Sequence, residues 1–288
     1  MSGVRRPLLL VTCLVVLAGC GTQAAGIPSP APHSPTTATT SSTASSPASS
    51  VPPATSSAPR TTSKKKPPAP PPAASGVVVI DPGHNGGNAA NPAAINRQVP
   101  AGRGRTKPCN TTGTATDAGF PEHAFTWAVS LRARDILAAR GVKVLLTRQN
   151  DTGIGPCVDA RAAAGNNANA DAVVSIHADG ATDPSAHGFH VAYSSPPLNA
   201  AQGEPSARLA RTMRDGLRSA GFPLSTYIGS AGLSPRDDLG GLNLSTRPAV
   251  LVECGNMRNA AEAAKFSAGA GQQAYAAAIA AAILAYLR

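Results

Sequence analysis

Four side chains carry most of the chemistry open to this sequence. They are His84 in Asp81-Pro-Gly-His-Asn-Gly, Glu122 in Phe120-Pro-Glu-His, His177 in Ser175-Ile-His-Ala-Asp, and Glu253 in Val250-Leu-Val-Glu-Cys-Gly-Asn. Two imidazoles and one carboxylate make a catalytic zinc donor set that leaves a fourth position for water. A further carboxylate can move that water's proton. Taken singly, each residue says little. A lone histidine near a strand end is more often a hydrogen-bonded structural residue than a ligand, and His123, His187 and His190 take that reading by default. The sequence contains no His-Glu-x-x-His helix, no Gly-x-Ser-x-Gly elbow and no phosphate-binding loop. A serine or cysteine nucleophile therefore has no local support.

The elements that must position these residues alternate. Val77 to Ile80 is a short β-branched run ended by Asp81-Pro-Gly. Pro121 to Arg140 reads as a helix, with Phe125, Val129, Ala133 and Ile136 as its apolar stripe and Gly141 after its end. Strands are expected at Val142 to Thr147, Ala172 to His177, Gly188 to Ser194 and Ala249 to Glu253. Helices are expected at Asp159 to Ala170, around Leu209, Met213 and Leu217, and at Gln272 to Leu287. This order predicts a single α/β domain with a central, mostly parallel sheet flanked by helices. Sites in such folds lie beyond the carboxyl ends of strands, where His84, His177 and Glu253 are expected. Glu122 lies three residues before Phe125 and so shares the apolar face of its helix. The helix dipole alone would favour a carboxylate there, but a core-facing one must be paired or bind a metal.

Residues 1–75 read as export and tether rather than fold. Arg5 and Arg6 precede Pro7 to Leu17, an apolar stretch of 11 residues, which is short for a membrane span and suited to a signal peptide. It ends in Leu17-Ala18-Gly19-Cys20, which resembles the lipobox of bacterial lipoproteins. The division expected is 1–19 as signal peptide, 20–75 as lipidated Cys20 and tether, and 76–288 as the catalytic domain. From Gly21 to Ser75, 45 of 55 residues are Pro, Ser, Thr or Ala, too few apolar side chains to offset ordering entropy. Such a tether would average about 40 Å if flexible and reach roughly 170 Å if extended. The protein is expected outside the cytoplasm, lipid-anchored to the outer face of the plasma membrane, with free secretion as the alternative.

The formal charge of +10 falls to +4 on residues 76–288, with 19 Lys and Arg against 15 Asp and Glu. That mild excess suits an anionic substrate. With few aromatics and no basic-aromatic interleaving, nucleic acid is not an expected partner. Asn85 to Gly119 reads as one long loop, of a size usually functional or mobile. Cys109 within it and Cys157 are expected to pair in an oxidising compartment, with Cys254 a competing partner or a small buried hydrophobe.

In combination the motifs resemble a known family. Asp81-Pro-Gly-His84, the helix carrying Glu122, Arg161 with Asn166 and Asp171 leading into Ser175-Ile-His177, and Pro248-Ala-Val-Leu-Val-Glu253-x-Gly-x-x-x-Asn259 stand in family order. They resemble the zinc-dependent N-acetylmuramoyl-L-alanine amidases of the amidase type 3 family, most of all its mycobacterial and actinobacterial single-domain members. The likeness covers essentially all of residues 76–288. It implies a mixed α/β fold, Zn2+ held by His84, Glu122 and His177, and Glu253 as the catalytic carboxylate. The implied reaction cleaves the amide joining N-acetylmuramic acid to L-alanine of the stem peptide, in cell-wall remodelling or recycling. Peptidoglycan or muropeptides are then the partners, and the chain is expected to act as a monomer. Asn85, Asp179 and Asn256 depart from the family's usual residues at positions touching peptide recognition. Asp81 is placed either behind a ligand imidazole or as the cap of its turn, and Arg161 in a structural ion pair or against a stem-peptide carboxylate. Two other readings use the same residues: a zinc peptidase acting within stem peptides, and a silent wall-binding lipoprotein. Newly exposed peptide amines would mark the first, while a retained Glu253 argues against the second.

Overall fold

The computed structural model describes residues 75–288. The expected signal peptide, Cys20 and nearly all of the expected tether lie outside the described residues. Eight strands and seven α-helices follow one another. The strands are β1 (Val77–Pro82), β2 (Gln98–Pro100), β3 (Thr106–Pro108), β4 (Lys143–Leu146), β5 (Ala172–Asp179), β6 (His190–Ser194), β7 (Leu233–Arg236) and β8 (Ala249–Asn256). The helices are α1 (Pro92–Asn96), α2 (Glu122–Ala138), α3 (Val158–Asn167), α4 (Glu204–Ser219), α5 (Gly240–Asn243), α6 (Ala260–Ser267) and α7 (Gly269–Tyr286).

Six strands form one sheet in the order β4-β1-β5-β8-β6-β7, while β2 and β3 make a small antiparallel pair. Four of the five pairings in the large sheet are parallel, and β6 runs antiparallel to β8. The domain is thus α/β with a mostly parallel central sheet and helices on both faces.

The period of two along each strand divides the chemistry. Val78, Ile80, Val174, Ile176, Val191, Val250, Val252 and Cys254 point to one face and enter the main core. Phe125, Val129, Ala133 and Leu137 of α2 close over them, with Leu209, Met213 and Leu217 of α4 and Tyr275, Ile279 and Ile283 of α7. The alternate residues point to the other face: Val79 and Asp81 on β1, and Val173, Ser175, His177 and Asp179 on β5. Leu251 and Glu253 on β8 and His190 on β6 share that face. There α3 and α5 cover only a small apolar cluster built on Val79, Val173, Ala192, Leu242 and Ala249. One face is a core, and the other is left partly open for function.

Several expectations shift. Pro121 stands before α2 in extended conformation rather than inside its first turn. The long 85–119 segment is not plain loop, since it folds into α1 and the β2–β3 pair. His177 and Glu253 do not end their strands, because β5 runs on to Asp179 and β8 to Asn256. Sequence reading stopped both strands early because the polar residues after the apolar run look like a boundary. They continue as strand because the two chains keep pairing there, across an irregularity between His177 and Asp179.

Candidate active site

Glu122 is the hub. As the first residue of α2 and only 4 % exposed, its carboxylate reaches over the sheet to both histidines. Its Oε2 lies 3.1 Å from His84 Nε2, and its Oε1 lies 3.0 Å from His177 Nδ1. Each oxygen also accepts a backbone N–H, from Thr114 at 2.9 Å and from Ala178 at 3.1 Å. One ligand atom from each of His84, Glu122 and His177 falls within 4.8 Å of the others. Ligands bound to zinc at about 2.0–2.1 Å in a tetrahedron stand about 3.3 Å apart, so this donor set needs little closing to hold the ion. The residues present fit the metal.

The electrostatics match a cation site. Burial opposes ionisation of Glu122, yet the two imidazoles and their hydrogen bonds outweigh it and hold the carboxyl well below the usual range. Burial likewise opposes charge on His84, and the Glu122 carboxylate outweighs it and raises that imidazole. Positive charge is favoured between these groups, whether supplied by protons or by a divalent ion. The Nδ1 of His84 lies 3.1 Å from the Thr111 carbonyl oxygen. With the ring proton on Nδ1 and donated to that carbonyl, Nε2, which faces Glu122, is open to a metal. Glycine is required at 113, where φ is +80° and a Cβ would come within 2.9 Å of both Glu122 Oε2 and the His84 ring.

His84 itself has φ +57°, a costly conformation for a non-glycine residue. Two buried arginines hold it there. Arg161 on α3 donates to Asp81 Oδ1 and the Pro82 carbonyl at 2.6 Å, and to the His84 carbonyl at 2.8 Å. Its remaining bonds go to the carbonyls of Gly155 and Pro156 at 3.1 and 2.8 Å. Arg148 donates to the Pro82 carbonyl at 3.1 Å and the His123 carbonyl at 2.9 Å. Arg161 is therefore structural and spends no donor on a peptide carboxylate. Asp81 neither backs a ligand imidazole nor caps its turn, since its carboxylate accepts from Arg161, Thr147 and Ser175. Sequence reading passed over Arg148, whose local signals were a charge directly after an apolar strand and Asp151 three residues on, its ion-pair partner at 2.8 Å.

The Cys109–Cys157 bond closes beside this clamp, with Cα atoms 4.3 Å apart. Cys157 immediately precedes α3 and Arg161 sits one turn later, so the disulfide ties the β3 segment to the helix that holds His84. Cys254 is a free, buried thiol, pushed well up by burial.

Glu253 faces the same cavity, about 380 Å³ in volume, one strand over from His177. It is partly exposed, but its Oε2 is enclosed and unpartnered among the described residues. Burial, then the carboxylates of Asp179 and Glu122, push its pKa well above the ordinary value. Asp179 Oδ2 accepts from the Tyr227 hydroxyl at 3.0 Å. The cavity continues past Val158, Val173, Leu242 and Leu251, so the polar site opens into an apolar groove.

Residues 78–285 match the N-acetylmuramoyl-L-alanine amidase family. An N-acetylmuramoyl-L-alanine amidase of Mycobacterium tuberculosis is 54% identical over 197 residues, which is 68% of this chain and 80% of that protein. The crystal structure of an N-acetylmuramyl-L-alanine amidase from Mycobacterium smegmatis superposes with TM-score 0.73 at 53% identity, covering 75% of this chain and 99% of that one. The apo enzyme from Mycobacterium abscessus gives 0.71 at 54% identity, covering 74% and 98%. The matched residues include His84, Glu122, His177 and Glu253. The chain belongs to the N-acetylmuramoyl-L-alanine amidase family and is a peptidoglycan hydrolase.

Proposed function

We propose that His84, Glu122 and His177 hold one zinc ion and that Glu253 carries protons for amide cleavage. The supporting observation is the convergence of three donor atoms from β1's turn, α2 and β5, with Glu253 on the adjacent strand. A zinc ion held by these residues would acidify a water and polarise the scissile carbonyl. Glu253 is suited to take a proton from that water, since burial and neighbouring carboxylates make it a stronger base than a surface glutamate. Its unenclosed oxygen then returns the proton to the nitrogen of L-alanine as the bond to the lactyl group breaks. Thr111, Thr114 and Ala178 keep the imidazole and carboxylate aimed during this exchange. The apolar groove beyond Leu251 receives aliphatic parts of the substrate.

Two variants test the division of roles. Glu253→Gln keeps size but cannot take a proton, so it should retain zinc and lose about two to four orders of magnitude in turnover. Glu122→Gln should lose zinc first and regain part of its activity in excess metal. Should Glu253→Gln shed zinc while Glu122→Gln keeps it, the two roles must be exchanged.

The cell address follows from the substrate, since a peptidoglycan amidase acts outside the cytoplasm. The finer reading is lipid anchoring at Cys20. It is supported by Arg5 and Arg6, the apolar Pro7–Leu17 stretch and the Leu17-Ala18-Gly19-Cys20 sequence. A tether of roughly 40–170 Å would let the catalytic domain sample wall well away from the bilayer.

A further inference from the structure

The sheet sets three polar residues side by side on the cavity face. His177 on β5 pairs with Glu253 on β8, and Glu253 pairs in turn with His190 on β6. Directly opposed residues point to the same face, with Cβ atoms about 4.5–5.5 Å apart. Glu253 therefore has an imidazole on each flank. The His177 flank belongs to the metal donor set, and the His190 flank does not.

His190 is 1 % exposed. Its Nδ1 is enclosed and has no hydrogen-bond partner among the described residues, and Glu253 Oε2 is in the same condition. Among the described residues only Ser130 Oγ shares it. A buried polar atom left unpaired costs about 1–3 kcal/mol. Two of them on directly opposed residues are complementary if one donates and the other accepts.

The other groups around His190 are already engaged. Tyr227 stands edge-on to the imidazole, with ring centroids 6.2 Å apart, and gives its hydroxyl to Asp179 Oδ2 at 3.0 Å. That same Asp179 oxygen is 3.8 Å from His190 Nδ1, too far for a hydrogen bond. Arg236 on β7 is bound to Asp238 through Nε at 2.7 Å and Nη2 at 2.6 Å. Burial first, then the Arg236 charge, bring the His190 pKa down to about 4. The ring is therefore neutral at ordinary pH, with one N–H to give.

We propose that His190 is a positioning residue for Glu253: its Nδ1–H donates to Glu253 Oε2, leaving the other carboxylate oxygen to work on water and substrate. The inference rests on Glu253 being the proton carrier. The two groups are not in contact here, since no His190 nitrogen lies within 4.0 Å of a Glu253 oxygen; the contact forms when the Glu253 side chain turns about its torsions, the last of which is broad and roughly two-fold. Held this way, the carboxylate keeps one orientation through both proton transfers instead of swinging toward Asp179. The role resembles that of hydrogen-bonded partners behind metal ligands, whose loss costs about 10–100-fold in function.

The test uses the zinc-loaded full chain and purified muropeptides. Kinetics, zinc content and thermal melting are measured on His190→Phe, His190→Asn and His190→Gln. Phenylalanine fills the space without a donor and should lower kcat about 10–100-fold, with KM and zinc content unchanged. Asparagine places an amide N–H near the Nδ1 position and should restore most of kcat. Glutamine reaches toward the Nε2 position and should restore less. The proposal is overturned if His190→Phe keeps its kcat, if only KM changes, or if glutamine restores activity and asparagine does not. If His190→Phe does not fold, the asparagine and glutamine variants decide. Glu253→Gln separates the two readings. If it turns over at the wild-type rate, the proton-carrier assignment itself fails. If it is inactive while His190→Phe is active, only the His190 assignment falls.

Discussion

Replacing Arg161 by methionine should undo the turn that carries His84. Arg161 is 5 % exposed, and its donors serve Asp81 together with the carbonyls of Pro82, His84, Gly155 and Pro156. Methionine fills similar space with no donor and no charge. It strands the buried Asp81 carboxylate, and breaking a buried pair this way costs about 3–5 kcal/mol. At about 2–4 °C per kcal/mol for a domain of this size, melting should fall by roughly 6–20 °C. Acid behaviour gives a separate check. Burial raises the Asp81 pKa, but Arg161 and the Ser175 and Thr147 hydrogen bonds outweigh it, bringing the group from 3.8 down to about 2. A lowered folded-state pKa contributes stability that is complete above the unfolded value and is lost as pH falls through the folded one. Wild type should thus lose about 2 kcal/mol through this group between pH 4 and pH 2. In Arg161→Met that contribution should shrink, because the guanidinium that lowered the pKa is gone. Urea unfolding at pH 7, 4 and 3 measures both effects, and a competition titration measures zinc affinity, expected to drop about 10–100-fold as His84 loses its clamp. A loss under about 1 kcal/mol at pH 7, or unchanged zinc affinity, would refute the argument that Arg161 holds the ligand in its strained conformation.

Three further outcomes are expected. Reducing the Cys109–Cys157 bond, which spans 48 residues, should destabilise the domain by about 4 kcal/mol in the chain-entropy account, and calorimetry with and without reductant reads this directly. Gly113→Ala should weaken zinc binding, since its Cβ would press on Glu122 and His84 at 2.9 Å in a left-handed backbone. Isothermal titration with zinc giving wild-type affinity would show that the loop yields instead. Cys20→Ser should move the protein from the membrane fraction to the medium without changing the purified domain's kcat. Unaltered fractionation would mean that retention has another cause, because stable anchoring by lipid needs more than one chain and should be lost wholesale.

Much of this protein was legible in its residues because the signals are local. β-branched runs, an apolar stripe at helical spacing and the order of both place five of the six sheet strands and α2 to within a few residues. Glu122 was readable as inward-facing because helix geometry ties its direction to Phe125 and Val129. The motifs around His84, His177 and Glu253 carried the family. What escaped were short elements such as α1, α5 and β7, whose few residues have no period to detect, and the buried Arg148, whose partners are backbone carbonyls far along the chain as well as the nearby Asp151.

Tertiary structure decided the rest, and the reason is register. A strand's sequence fixes which residues share a face, but not which strand lies beside it or at what offset. Pairing Ser175 with Asp81, His177 with Glu253 and Glu253 with His190 turns four separate strands into one polar face. That pairing also makes His190 a neighbour of Glu253 when nothing in its own segment, Gly188 to Ser194, distinguishes it from an ordinary buried histidine. The left-handed His84 is a tertiary fact for the same reason: by itself the Asp81-Pro-Gly-His sequence would relax, and groups distant in sequence hold it in place, the guanidinium groups from α3 and the end of β4 together with Thr126 and the Ile176 carbonyl.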